Sequence, residues 1–552
     1  MPRILRQPGP LLATVFVAAL AWVWWSTAAS TSIALISSLF TVEPYAFAVH
    51  EQLIRNFGFD GTFFQTVHKG YDDAWTWSGH RALTLPMSGW LYPLSPSPFG
   101  LARVLIFATL LGVVPASLLG RRVSGSSFGA AAGALAYLGG PVVMAMALQG
   151  YQDLCFATSA LVFAWWGMGS RFWMVAMLGA VVGMAPREEC VPMVVGIAVL
   201  AVPMRRGRPN WTRWLGNIVG TVVLAVVYAS WAESAYPISG SGHDMPLENA
   251  LRSILGGERA VFLDGWPWRW SFYGLLLVPL GALLLLGPEA LVAALALVVL
   301  HMTVPVGHGV DRVWAGHSHH MAPAAAFAAL AGVLGGGRLL RWILPRARRP
   351  RAVVGTVLIA LMVLVTARSW SQWADEQNLV VAVVPTNPAW VHPAWTLAKR
   401  IPDDAVPIAT KDTSLVVSHW ARSYTVDGSL AYKAPQQGLA AGTHLIVDTR
   451  QTTLVKWAEA MPGARTVAAL APYALMTWDA GPDPSWAQMR TAKLTRPPPY
   501  SGGYRRRQDI PGVPPHIGGQ SSPGPAPRLM VPWGDNSELP PLPPLKGSPT
   551  PP

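Results

Sequence analysis

The sequence predicts an all-α polytopic membrane protein with a small α/β domain standing outside the bilayer. Three observations predict it. Of 552 residues, 52% are hydrophobic and only 12% charged, where a soluble domain carries roughly 25% charged residues. Apolar runs long enough to cross hydrocarbon recur through the first two thirds of the chain. Short arginine clusters separate those runs at alternating boundaries, as cytoplasmic loops require.

The formal net charge of +13 would also suit a nucleic-acid partner. The arginines, however, lie in short clusters between apolar runs, so a membrane accounts for them and nucleic acid is excluded. The run Leu11–Trp25 follows Arg3 and Arg6 and has the look of a signal peptide. It lacks a small-x-small cleavage site and more spans follow, which favours a retained first helix. Cys155 and Cys190 are the only cysteines, and both sit in or beside apolar runs. Two buried thiols are expected, and neither a disulfide scaffold nor a zinc site.

A span needs roughly 20 mostly apolar residues, because only a helix satisfies its own backbone in lipid. Runs at 10–33, 101–119, 125–148, 153–169, 172–186, 189–204, 214–232, 270–286, 288–305, 321–340 and 351–367 predict about eleven transmembrane helices. Arg3 and Arg6 put the N-terminus in the cytoplasm. Arg121 and Arg122, Arg171, Arg205 to Arg208, and the basic run Arg338–Arg351 all fall on that same side. The acids gather opposite: Glu43, Glu51, Asp60, Asp72 and Asp73, then Asp153, then Glu188 and Glu189, then Asp244, Glu248, Asp264 and Asp311. An odd number of spans leaves everything after residue 368 external.

Three regions follow. Residues 1–370 form the transmembrane domain, with a long first external loop at 34–100. Within that loop residues 43–56 read as an amphipathic helix able to lie on the membrane surface, and Tyr71–Trp77 sets aromatics beside acids. Residues 371–490 form the external domain. Its pattern alternates helix at Pro393–Arg400, strand at Ala405–Thr410, helix at Ser414–Trp420, strand at His444–Asp448, helix at Leu454–Ala460 and strand at Thr466–Ala469. Asp448 ends a strand, where such folds place function or a helix cap. Residues 491–552 are a Pro/Gly-rich tail, expected to be disordered because it cannot build a core.

Ionisable groups at membrane depth are costly and mark candidate sites. Pro186-Arg187-Glu188-Glu189-Cys190 interrupts two apolar runs. At least one glutamate there either pairs with Arg187 in a tight turn or faces a site. Asp153 is either an N-cap or a site residue. His317, His319 and His320 cluster as a metal site would, or serve to hold phosphate or a sugar hydroxyl. A helix would splay them to different faces, and no known zinc spacing is matched. No phosphate loop, nucleophile elbow or dinucleotide fingerprint occurs.

The order of these motifs resembles a family of predicted bacterial and archaeal membrane proteins, domain of unknown function 2079. That family is similar to the integral-membrane, polyprenyl-phosphate-dependent glycosyltransferases of the C fold. The motifs are Tyr45–Gln52, with Glu51 where an acid precedes glutamine; His80 followed by Leu83–Trp90 and Leu91-Tyr92-Pro93; Tyr151-Gln152-Asp153; Arg187-Glu188-Glu189; and His319-His320-Met321-Ala322-Pro323. Ala46 departs from the pattern, standing where the family has a further acid. The resemblance covers about residues 10–470 and implies a glycosyltransferase C-like fold in the cytoplasmic membrane. It implies sugar transfer on the external face from a polyprenyl-phosphate donor to an unidentified acceptor. Glu51 or Glu43 would be the catalytic base. His80, Asp153, Arg187, Glu188, His319 and His320 would bind substrate or its phosphate. A divalent metal ion bridging carboxylate and phosphate is compatible with this scheme. Two other functions stay open: a transporter or flippase of a lipid-linked or small polar solute, and a noncatalytic assembly protein of the cell envelope.

Overall fold

A computed structural model describes residues 8–39, 44–61, 82–148, 150–205, 208–235, 283, 285–293, 322–346, 351–376, 392–403, 405–420, 423–426, 444–461 and 463–479. The chain opens with α1 (Pro8–Ser38), α2 (Pro44–Asp60) and α3 (Thr84–Leu91), the last running into a 3-10 turn at Tyr92–Leu94. The bundle continues with α4 (Pro98–Leu111), α5 (Val113–Ser124), α6 (Ser127–Leu138) and α7 (Pro141–Ala147). A 3-10 turn at Asp153–Phe156 leads into α8 (Ala157–Met168), then α9 (Trp173–Met184) and α10 (Cys190–Leu200). A small hairpin, β1 (Met204–Arg205) with β2 (Arg208–Pro209), precedes α11 (Trp211–Ala235). The last long helices are α12 (Ala322–Ile343) and α13 (Arg351–Glu376).

Among the described residues five helices are long and apolar enough to cross a membrane, or six if the bent pair α6 and α7 is one span. This is a membrane protein, and its exposed surface shows why: Trp22 on α1, Phe107 on α4, Val226 on α11 and Leu364 on α13 all leave large apolar side chains uncovered. Water would not tolerate so continuous an apolar surface. α12 is the opposite case. Its run of alanines and glycines lets neighbours approach closely, and nearly all of it is buried against α5, α6 and α8.

The span expected at 125–148 is not one straight helix. It bends by 59° at Gly139–Gly140, ahead of Pro141, where a proline follows a glycine pair and the helix ladder cannot continue. The expected spans at 153–169, 172–186 and 189–204 are helices of 10–17 residues, shorter than the ~20 residues of a full crossing. Those expected at 270–286 and 288–305 lie mostly outside the described residues.

The region after α13 folds as a three-layer unit. α14 (Pro393–Ala398) precedes β3 (Pro407–Thr410), a 3-10 stretch at Lys411–Val417, β4 (Tyr424–Val426), β5 (His444–Asp448), α15 (Thr452–Glu459), β6 (Arg465–Leu470) and β7 (Tyr473–Thr477). The sheet order is β4-β3-β5-β7-β6, with β3 parallel to β4 and β5, and β7 antiparallel to β5 and β6. Alternating side chains build two cores. Ala409, Ile446 and Leu475 face α14 with Leu397 and Val416, while Ile408, Leu445, Val447 and Met476 face α15 with Leu454 and Ala458.

Relative to the sequence reading, the expected helix at 414–420 is a 3-10 stretch placed earlier, and β4 and β7 are additional strands. The sheet unit is anchored on the bundle. Leu415 is buried in the core of the membrane helices, His392 N donates to Ser37 O at 2.8 Å, and Trp395 Nε1 donates to Ile36 O at 3.1 Å.

Candidate functional site

The site is built where α2, α3, the 150–156 segment and the turn before α10 meet, at the end of the bundle that carries the sheet unit. Two arginines tie the helices together at the other end. There Arg122 Nη1 donates to Gly169 O and Arg213 Nη1 to Arg171 O, tying the end of α5 and the start of α11 to the turn between α8 and α9.

Two backbone bonds fix the site's frame. Leu83 N and Thr84 N both donate to Ala185 O, at 2.9 and 3.3 Å, binding the start of α3 to the segment that carries Arg187. Gly150 then turns the chain at φ +85°. A β-carbon there would stand 2.5 Å from the Phe47 ring on α2, so only glycine allows this approach. The turn delivers Tyr151, whose hydroxyl lies 2.8 Å from Ser88 Oγ and 3.3 Å from Thr84 O, and whose ring stands 5.8 Å from that of His50.

Next comes the charge pair. Arg187 Nη2 donates to Asp153 Oδ1 at 2.7 Å and Arg187 Nε to Asp153 Oδ2 at 3.3 Å. Asp153 Oδ1 also accepts from Leu154 N at 2.8 Å, and His50 Nε2 lies 4.0 Å from it. Asp153 is 0% exposed and Arg187 2%. Such a pair survives burial only with this forked geometry, because desolvation of each ion costs several kcal/mol, roughly, before the attraction repays it. Burial disfavours the Arg187 charge, yet the Asp153 and Glu189 carboxylates outweigh it and hold the guanidinium above its ordinary pKa.

The pair leaves donors over. Arg187 Nη1 is 3.9 Å from Glu189 Oε1 and has no hydrogen-bond partner among the described residues. The same is true of Gln152 Nε2 and Thr84 Oγ1, all in buried residues. Buried donors of this kind are uncommon and call for an acceptor. No three His, Cys, Asp or Glu side chains converge as a cation site among the described residues.

Glu51 is placed elsewhere. It is buried on α2 between the bundle and the sheet unit. Tyr92 Oη donates to its Oε1 at 3.0 Å, and its Oε2 is in short contact with Ser418 Oγ. Burial pushes its carboxyl up to about 8, against the pull of Ser418, Tyr92 and Arg55.

Thus the structure brings Asp153 and Arg187 into direct contact, with Glu188 one residue further on. It sets Glu51 in the neighbouring joint. Glu43, His80, His319 and His320 lie outside the described residues. Asp153 was expected as a cap or a site residue, and its carboxylate is the partner of Arg187, 34 positions away. The sequence assigned no role to His50, Thr84, Ser88 or Tyr151, although His50 and Tyr151 lie within the motifs quoted above. The one signal for them is that Tyr151-Gln152-Asp153 is a polar triplet between apolar runs.

The fold of this mostly helical membrane bundle, with a sheet unit over one end, is also seen in a solved structure. The structure of ArnT from Cupriavidus metallidurans bound to undecaprenyl phosphate superposes with a TM-score of 0.51 at 13% identity, covering 85% of this chain and 99% of that one. The apo state of the same protein gives 0.48 at 14% identity over the same shares. An Archaeoglobus fulgidus oligosaccharyltransferase tethered with an acceptor peptide gives 0.35 at 11% identity, over 83% of this chain and 74% of that one. By sequence, the chain belongs to the predicted membrane protein family DUF2079, which it matches over residues 36–460. No curated protein matches it in sequence.

Proposed function

We propose that the protein transfers a sugar from a polyprenyl-phosphate-linked donor to an acceptor at the end of the bundle that carries the sheet unit. In this reading that end faces outward from a bacterial cytoplasmic membrane, with the N-terminus in the cytoplasm. Residues 1–370, with about eleven spans, form the catalytic bundle, 371–490 the external domain above it, and 491–552 a tail.

The observation that carries the reading is Arg187. Asp153 holds it by two hydrogen bonds while Nη1 and the nearby Gln152 Nε2 keep donors to spare. A fixed guanidinium suits a phosphate oxygen both in the ground state and as charge grows on the leaving group. ArnT, which shares the fold, is seen bound to undecaprenyl phosphate. His80, His319 and His320 are assigned to the same phosphate, and Glu188 to the rim. A lipid phosphate leaves readily, so one base suffices. Glu43 takes that role here, because Glu51 is held between two hydroxyls.

The test is sugar transfer by purified protein in bacterial lipid extract, with a panel of radiolabelled polyprenyl-phosphate sugars. Turnover is expected, and Arg187→Gln is expected to lower it by about 10²–10³ per folded molecule, beyond any loss of folded protein, as losing an oriented charge donor does. Absence of turnover across the panel, with lipid still bound, overturns the reading.

One observation favours transport of a lipid-linked or polar solute instead: the break between α6 and α7, since transporters bind solutes at broken helices. The residues flanking this break are Leu138, Val142 and Val143, all buried and apolar, whereas a transport site at a broken helix presents polar groups. Flipping of the same labelled lipids across proteoliposomes, without transfer, would establish transport.

A further inference from the structure

We propose that Glu51 is a positioning residue: a neutral carboxylic acid that latches the sheet unit onto α2 by donating its proton to Ser418.

The inference rests on counting protons. Ser418 has one hydroxyl hydrogen. Leu415 O, 2.8 Å from Ser418 Oγ, is a carbonyl and can only accept, so it takes that hydrogen. Ser418 Oγ then turns lone pairs toward Glu51 Oε2. Two oxygens without a hydrogen between them would repel, so the hydrogen in that contact belongs to Glu51. The other carboxyl oxygen accepts from Tyr92. One bond given and one received complete a neutral acid at a position that is 0% exposed.

The nearest cation is used elsewhere. Arg55 Nε donates to His419 O at 2.9 Å, its Nη1 to Asn56 Oδ1 at 2.8 Å, and Nη1 stands 3.7 Å from Asp60. Gln52 completes the joint, donating from Nε2 to Ser423 Oγ at 3.0 Å and toward Trp420 O at 3.4 Å. One stretch of α2 therefore grips the sheet unit through Glu51, Gln52 and Arg55, while the adjoining His50 lies against Tyr151 and Asp153. The docking of the sheet unit sets where His50 stands.

The pH dependence follows in sign. Docked, Glu51 keeps its proton at least up to about 8; released, it would lose it near the ordinary 4.5. Acid therefore favours docking, and docking weakens as pH climbs between those values, then levels off. Among other groups at the joint, Tyr92 is pushed up by burial and by Glu51, and stays protonated throughout. α3 carries no ionisable residue, and α4 contributes only Arg103. On the 3-10 stretch Lys411 and Asp412 are the ionisable residues. Burial lowers His419 and His392 to about 4, so both oppose Glu51 below their ordinary 6.5 and are neutral, docked or released, above it. Between pH 6.5 and 8 the latch is read alone.

The test uses the full chain in nanodiscs, in two measurements. Infrared difference spectra of wild type against Glu51→Gln read the carbonyl stretch of a protonated carboxyl. That band is expected at pH 6.5, titrating near 8. Spin labels at Leu94→Cys and Glu459→Cys, both exposed positions, read separation of the two parts in urea. Separation is expected to ease about tenfold per pH unit between 6.5 and 8 in the wild type. It should be flat in Glu51→Gln, whose amide keeps one donor and one acceptor, and easy at every pH in Glu51→Ala. A missing band at pH 6.5, a flat wild type, or a Gln variant that separates like the Ala variant overturns the proposal. None of these readouts depends on sugar transfer, so the latch and the transfer reading fail separately.

Discussion

Two carboxyl groups are fully buried, one in the candidate site and one in the joint with the sheet unit, and their neighbours make them different chemical objects. Asp153 meets a guanidinium, a backbone N–H and an imidazole. Glu51, on the same helix as that imidazole, meets two hydroxyls. The first group is held as an ion because an ion holds it. The second is fully buried without a contacting cation, and burial raises its affinity for a proton. A buried carboxyl's role is set by which donors surround it, and the family motif alone cannot supply that. Glu51 stands in the motif position of an acid, yet its surroundings suit a joint. Asp153 anchors a guanidinium that keeps a donor to spare.

The largest expected effect separates these two directly. Arg187→Ala leaves Asp153 as an uncompensated buried charge, and should cost about 3–5 kcal/mol of stability. The double replacement of Arg187 and Asp153 by apolar residues should recover much of that loss, because it removes both ions. Thermal unfolding in detergent measures each. A single-variant loss under 1 kcal/mol would mean that the pair is not buried.

A smaller effect is expected at the joint. Glu51→Ala leaves Tyr92 Oη without its acceptor while Ser418 Oγ keeps its bond to Leu415 O, so the cost should be about 1–3 kcal/mol. Glu51→Gln should stay within about 1 kcal/mol of wild type, since it exchanges one neutral hydrogen-bonding group for another. The same unfolding series checks both. If Gln costs as much as Ala, Glu51 is an ion and the contrast with Asp153 collapses.

How far the sequence reaches can be seen residue by residue. Apolar length and the arginine clusters are properties of short windows, so α1, α4, α11, α12 and α13 were legible. His444–Asp448 was legible to the residue because it is a buried strand closed by a polar turn. β4, with three residues, is too short for alternation to show, and β7 lies beyond Pro472, past the strand expected at Thr466–Ala469. At the candidate site, Arg187, Glu188 and Asp153 stood out in the sequence because charge between apolar runs is rare. That Arg187 forks onto Asp153 was not, since the two come from different turns and no periodicity joins them. Still less could Glu51 announce Ser418, 367 positions away. Pairing across the fold is set by packing, and a single sequence carries no record of it.

The smallest expected effect is also the most selective. Tyr92→Phe keeps the ring, which packs edge-on against Phe59 at 6.0 Å, and removes only the hydroxyl that donates to Glu51 Oε1. Losing one such bond should cost roughly 0.5–1.5 kcal/mol. That hydrogen bond stabilises the ionised carboxylate and so holds the Glu51 pKa down. Without it, Glu51 should keep its proton to still higher pH, and the pH at which the joint finishes weakening should rise. The infrared titration of the variant reads this directly. A midpoint that falls instead would mean that Tyr92 supports the neutral acid more than the ion, and that the proton on Glu51 is shared differently between Tyr92 and Ser418. At the Asp153 pair the same substitution should change nothing, because Tyr92 is not among its contacts.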